Sequence, residues 1–211
     1  MTIDLRDLEG LETPLYYYDI RLLQQTIDEI MTCMSGYPYS THYAVKANCN
    51  PEILKTIAGA GFGADCVSGG EVRAALEAGF PASEISYAGV GKTDAEIRYG
   101  IEEGIGCFNT ESVEELEIIA EIARKYDRKA NVAFRINPDI DAHTHHYITT
   151  GIAENKFGID MRRLDDAIKV VTDNPELNFI GLHFHIGSQI TNMEPFELLC
   201  DRILQLQAKV E

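Results

Sequence analysis

A lysine shielded from water loses its proton more readily and can attack a carbonyl carbon, and Lys46 is placed for that chemistry. It stands in His42-Tyr43-Ala44-Val45-Lys46-Ala47-Asn48, at the end of a short apolar run that predicts a buried strand. Asn48, Asn50 and Pro51 then mark a turn and a helix start. The C-terminal end of a strand is where α/β barrels keep their reactive groups. Other predicted strand ends carry polar groups too. Asp65-Cys66-Val67-Ser68-Gly69-Gly70-Glu71 follows one strand, Arg135 and Asn137 end another, and His183-Phe184-His185-Ile186-Gly187-Ser188 spans a third. A lysine, an arginine, two histidines and the carboxylates of Asp65 and Glu71 thus share one predicted rim.

Several of these groups have more than one reading. At strand spacing His183 and His185 point to the same face. That suits a metal-binding pair, a flat surface for a planar ring, or two hydrogen-bonded core histidines. His143, His145 and His146 form a second cluster in a long loop from Pro138 to Lys156. Without matching cysteines or helical spacing, that loop reads as a polar lid or interface rather than a metal tract. Gly69-Gly70-Glu71 suits either an anion cradle of backbone N–H groups or a helix cap.

The elements that position these residues alternate strand and helix. Strands are predicted at Leu15 to Tyr18, Thr41 to Lys46, Ala64 to Val67, Ile85 to Ala88, Gly106 to Asn109, Ala130 to Ile136 and Phe179 to Ile186. Helices are predicted at Arg21 to Met34, Pro51 to Ala60, Gly69 to Ala78, Asp94 to Glu103, Ser112 to Tyr126, Leu164 to Val171 and Pro195 to Val210. From Thr41 on this makes six strand–helix units. Short apolar strands between amphipathic helices predict an α/β fold with a parallel sheet covered on both faces. Six units are two short of a closed (β/α)8 TIM-type barrel. The chain stops inside the helical pattern Ile203 to Lys209, so the expectation is part of a longer protein, against a complete open sheet of six strands.

The 211 residues are 45% hydrophobic, enough for one sizeable core. The formal charge of −16 disfavours nucleic acid and anionic membranes as partners. No apolar stretch approaches the length of a membrane span, and Met1-Thr2-Ile3-Asp4-Leu5-Arg6 lacks the pattern of a secretory signal. Cys33, Cys49, Cys66, Cys107 and Cys200 form no C-x-x-C pair, which fits a reducing, cytoplasmic setting. Cys66 and Cys107 lie in apolar runs and read as buried thiols.

Four stretches resemble, in order, the motifs of the fold-type III pyridoxal-phosphate decarboxylases, which act on ornithine, arginine or diaminopimelate. They are Tyr43-Ala44-Val45-Lys46-Ala47-Asn48, Gly63-Ala64-Asp65-Cys66-Val67-Ser68-Gly69-Gly70-Glu71, Phe134-Arg135-Ile136-Asn137-Pro138 and His183-Phe184-His185-Ile186-Gly187-Ser188-Gln189. Asn137-Pro138-Asp139-Ile140-Asp141-Ala142-His143-Thr144-His145 and Asn155-Lys156-Phe157-Gly158-Ile159 are most similar to the members that act on diaminopimelate.

The resemblance implies that Lys46 holds pyridoxal phosphate as an internal Schiff base. It implies that His185 stacks on the pyridine ring, Ser188 bonds the phosphate region and Arg135 approaches the phenolic oxygen. Asp65 and Glu71 would line the pocket. The implied reaction releases carbon dioxide from meso-diaminopimelate and leaves L-lysine, and the implied assembly is a homodimer with the site at its interface. The family's glycine-rich phosphate loop, its Glu-Pro-Gly-Arg motif and its β-rich domain have no counterpart in these 211 residues. Residues 21–211 are therefore expected to be a partial cofactor barrel, and residues 1–20 to supply the lone N-terminal strand of the β domain. Activity is expected of the longer parent and not of this chain alone. Three other readings share the motifs in part: a non-catalytic pyridoxal-phosphate barrel, a decarboxylase of a related basic amino acid, and a metal-dependent hydrolase using His183, His185 and a modified Lys46.

Overall fold

The computed structural model describes residues 8–137, 157–188 and 190–210. The histidine cluster at His143, His145 and His146, the loop from Pro138 to Lys156, and Gln189 lie outside the described residues.

The chain divides into two compact units, residues 1–39 and 40–211. In the first, α1 runs Ile20–Met34, and the Asp19 carboxylate caps it by accepting from the backbone N–H groups of Arg21 and Leu22. Leu15 to Tyr18 forms no strand. A strand needs a ladder partner for its backbone groups, and none is paired to this segment among the described residues.

The second unit is one six-stranded sheet in the order β1-β2-β3-β4-β5-β6, every neighbour pair parallel. The strands are β1 His42–Ala44, β2 Gly63–Cys66, β3 Ile85–Tyr87, β4 Cys107–Thr110, β5 Ala130–Arg135 and β6 Leu177–His183. Between and after them run α2 Pro51–Gly59, α3 Gly69–Ala78, α4 Asp94–Glu103, α5 Val113–Lys125, α6 Leu164–Asp173 and α7 Glu194–Val210. Sequential neighbours that are all parallel require crossovers of one hand, which is the winding of a (β/α)8 barrel, here with six of its units. β1 and β6 are the two edges.

The core lies between strands and helices. Ala64, Cys66, Ile85, Phe108, Val132 and Phe134 from the sheet are buried, as are Val72, Leu116 and Ile119 from the helices. Glycines set the spacing at two tight places. A Cβ on Gly100 would stand 2.7 Å from Phe108 Cζ, and one on Gly106 would stand 2.2 Å from the Ser83 carbonyl oxygen. Both distances are below contact, so α4 lies directly on β4 and the turn into β4 lies directly on the segment before β3.

β1 and β6 end two and three residues before the sequence pattern suggests. β1 stops at Ala44, and Val45–Ala47 forms a 3-10 turn, so Lys46 stands two residues past the strand. β6 stops at His183, and residues 184–187 are irregular. The alternation that was to put His183 and His185 on one face therefore ends between them. β6 also carries a bulge: Val132 pairs with Phe179 and Ala133 with Gly181, which leaves Ile180 unmatched and 52% exposed.

Candidate active site

The rim is made by the βα turns, and three successive turns follow one local rule. Each helix opens with a hydroxyl cap and a glutamate three residues on: Ser68 and Glu71, Thr93 and Glu96, Ser112 and Glu115. The cap oxygens accept from the glutamate N–H groups at 3.2, 3.3 and 3.1 Å. The carboxylates then do more than close their own helix. Glu71 Oε2 accepts from Val67 N at 2.8 Å. Glu96 accepts from Thr93 N and also from Gly69 N at 2.8 Å, reaching the turn of the preceding unit. Glu115 accepts from Glu111 N at 2.8 Å and from Lys92 Nζ at 2.7 Å, again reaching back one unit. Successive turns are thus stitched together by capping glutamates.

This decides the role of Gly69-Gly70-Glu71. The N–H groups of Gly69 and Glu71 are taken by Glu96 and Ser68, so the segment is a helix cap and not an open anion cradle. Glu71 is occupied in the same cap.

Lys46 is exposed in the turn that follows β1. Asp65, at the end of β2, senses it. Burial raises the Asp65 carboxyl above the ordinary carboxylate range, while Lys46, His42, His185 and Arg135 pull it back down. One carboxylate therefore lies within electrostatic reach of Lys46, His185 and Arg135, three residues the sequence assigns to the site. His183 is a different case. Burial, aided by Arg135, His185 and Lys92, pushes its imidazole down to about 4, so it is neutral at pH 7, and its Nδ1 is buried with no hydrogen-bond partner. His185 and Ser188 are exposed past the end of β6.

The sequence reading passed over the ends of β3 and β4, which hold the most buried charges on the rim. Lys92 has a side chain only 1% exposed and gives hydrogen bonds to Gly89 O at 2.8 Å, Asn109 O at 3.0 Å and Glu115 Oε1 at 2.7 Å. Those three acceptors match its three N–H donors, and its ammonium also lies 5.3 Å from the Tyr87 ring centre. Glu111 accepts from Arg135 Nη1 at 2.6 Å and from Gly89 N at 3.2 Å. Glu111 directly follows β4, whereas nothing in the sequence singles out Lys92, five residues past β3. The Lys92 side chain is buried with all three donors taken, whereas Lys46 is exposed on the rim. Among the described residues no group of three or more histidine, cysteine or acidic side chains is arranged to hold a metal ion.

The geometry defines an α/β barrel rim with an exposed lysine, an aspartate coupled to it, and an arginine and histidine close by. Residues 20–211 match the family model "Pyridoxal-dependent decarboxylase, pyridoxal binding domain". The chain is 58% identical over 202 residues to diaminopimelate decarboxylase of Bacteroides thetaiotaomicron, covering 95% of this chain and 52% of that protein. Among solved structures it resembles diaminopimelate decarboxylase of Helicobacter pylori complexed with L-lysine, with a TM-score of 0.85 and 37% identity over 96% of this chain and 52% of that one. It likewise resembles the M. jannaschii diaminopimelate decarboxylase in complex with L-lysine, with a TM-score of 0.83 and 37% identity over 96% of this chain and 48% of that one. The chain belongs to the pyridoxal-dependent decarboxylase family, through the match of residues 20–211 to its pyridoxal-binding domain model. It spans about half the length of the curated relatives it matches.

Proposed function

We propose that this chain is the cofactor-bearing part of an enzyme that decarboxylates meso-diaminopimelate to L-lysine with pyridoxal phosphate. The observation that carries the proposal is the 58% identity over 202 residues to a diaminopimelate decarboxylase. The residues present fit the cofactor. An aldehyde needs an accessible amine, and Lys46 is exposed on the rim. A phenolic oxyanion needs a cation, and Arg135 is held at the end of β5 by its ion pair with Glu111. A flat ring needs a face, which His185 offers from the segment after β6.

When bound, pyridoxal phosphate supplies the electron sink for the pair left by the departing carbon dioxide. The protein's own residues do the rest. Lys46 would anchor the cofactor through its amine, His185 would cover the ring face, Ser188 would donate to the phosphate region, and Arg135 would hold the phenolic oxygen in its ionised form. Asp65, whose carboxyl is raised by burial and drawn back by Lys46, His42, His185 and Arg135, would line the pocket beside the lysine.

In this reading residues 21–211 are part of the cofactor barrel of the enzyme, and residues 1–20 belong to a separate β domain as its N-terminal segment. The enzyme is a cytoplasmic homodimer, and the present chain alone is inactive. No described helix is long and apolar enough to cross a membrane. The test is carbon dioxide release from meso-diaminopimelate, ornithine and arginine by the full-length protein and its Lys46→Ala variant. The proposal expects turnover of diaminopimelate that the substitution abolishes. Preference for another amino acid, or turnover that survives Lys46→Ala, refutes it.

A further inference from the structure

Arg135 is the most tightly held of the candidate site residues, and a residue outside the motifs holds it. Its side chain is 12% exposed, so its charge needs a partner. The partner is Glu111, 4% exposed, which accepts from Arg135 Nη1 at 2.6 Å. Glu111 is itself fixed at both its side chain and its backbone. Its Oε1 also accepts from Gly89 N at 3.2 Å, its own N–H donates to Glu115 Oε2 at 2.8 Å, and Glu115 is locked by the buried ammonium of Lys92. Lys92 in turn ties the turn after β3 to β4 through Gly89 O and Asn109 O. On the other side, the Phe157 ring centre lies 5.6 Å from the guanidinium carbon. Gly158 lets that ring approach: a Cβ there would stand 2.8 Å from Arg135 O, and its φ of +98° suits only glycine.

The arrangement has a consequence beyond neutralising a charge. Glu111 contacts one terminal nitrogen of a guanidinium that carries five N–H donors, rather than gripping both in a bidentate fork. That contact fixes where the cation stands without covering the whole fork. We propose that Glu111 is a positioning residue, which acts on the cofactor only through Arg135 by aiming the guanidinium at the mouth of the site. The inference rests on the pyridoxal-phosphate reading of the site.

The test uses the full-length protein freed of cofactor, with two readouts. One is the dissociation constant for pyridoxal phosphate, measured by absorbance titration. The other is the position of the Arg135 side chain in crystals of the cofactor-free protein. Glu111→Gln is expected to weaken cofactor binding tenfold or more and to release Arg135 from its place. Glu111→Asp, which keeps the charge but draws it back by one methylene, is expected to restore most of the affinity. In an Arg135→Ala background, Glu111→Gln is expected to change affinity by less than twofold, because Glu111 then has nothing to aim. Unchanged affinity with Arg135 in place overturns the inference, as does a Glu111→Gln effect that multiplies with that of Arg135→Ala. If Glu111→Gln does not fold, Glu111→Asp decides: a displaced Arg135 with the roughly two- to threefold loss of affinity left by the shorter reach supports the inference, and Arg135 in place with unchanged affinity overturns it. If the unmodified protein binds no pyridoxal phosphate, the proposed function is wrong, and the crystal readout alone still tells whether Glu111 holds Arg135.

Discussion

Replacing Lys92 with methionine tests whether the rim is held by buried charge. The ammonium is 1% exposed and 2.7 Å from Glu115, itself 13% exposed, so both charges sit largely out of water. Methionine keeps an unbranched chain of similar length but removes the charge over the Tyr87 ring and all three hydrogen bonds. Removing one partner of a buried pair costs about 3–5 kcal/mol, because the other charge stays behind uncompensated. The carbonyls of Gly89 and Asn109 lose a donor as well, which adds about 1 kcal/mol each where water does not replace it. Glu115 keeps its bond from Glu111 N, which moderates the loss. We expect about 4 kcal/mol in all, a fall in Tm of about 10 °C for a domain of this size. Scanning calorimetry of the full-length, cofactor-free protein measures it. Lys92→Met with Glu115→Gln, which leaves no orphaned charge, should recover about half of the loss. A Tm change below roughly 2 °C for the single substitution refutes the reasoning, as does a double variant less stable than the single one.

Further expectations follow from the same geometry. The His183 imidazole is pushed down to about 4 from an ordinary 6.5, so the unfolded chain takes up a proton at this residue between those pH values and the folded chain does not. The stabilisation is full above pH 6.5 and lost as pH falls towards about 4, and 1.36 kcal/mol per pKa unit makes it about 3 kcal/mol. Urea midpoints at pH 7 and pH 4.5 should therefore fall less for His183→Leu than for the unmodified protein, and equal falls contradict the assignment. Gly106→Ala places a Cβ 2.2 Å from a backbone carbonyl that has no room to retreat, and should cost about 1–3 kcal/mol in the same urea assay. An unaltered midpoint shows that the turn gives way.

Much of the fold was legible because its signals are local. Apolar runs of β-strand length separated by capped amphipathic helices located every element of the sheet, and α3 Gly69–Ala78 and α4 Asp94–Glu103 match the pattern residue for residue. Strand ends were less legible, because hydrophobicity continues past the last ladder bond. Val45 is fully buried yet belongs to a 3-10 turn, and His185 follows an apolar residue yet lies outside β6. Leu15 to Tyr18 has the composition of a strand without a described partner to make it one.

In the candidate site, the residues that belong to a motif were legible, and the ones that hold them in place were not. Lys46, Asp65, Arg135 and His185 announce themselves by their neighbours. Glu111 and Lys92 look like ordinary surface charges until the fold shows that they are buried and paired. The capping glutamates were hidden for another reason. Ser-x-x-Glu reads as a helix start, and only the parallel order of the units shows that Glu96 and Glu115 also reach the turn before their own.

Lys46 remains the residue on which the account depends. The full-length protein should be loaded with pyridoxal phosphate, treated with borohydride to fix any imine bond to lysine, digested and read by mass spectrometry. The account predicts a single phosphopyridoxyl group on the peptide containing Lys46. A label on Lys92 or any other lysine, or no label on a protein that decarboxylates diaminopimelate, would contradict it.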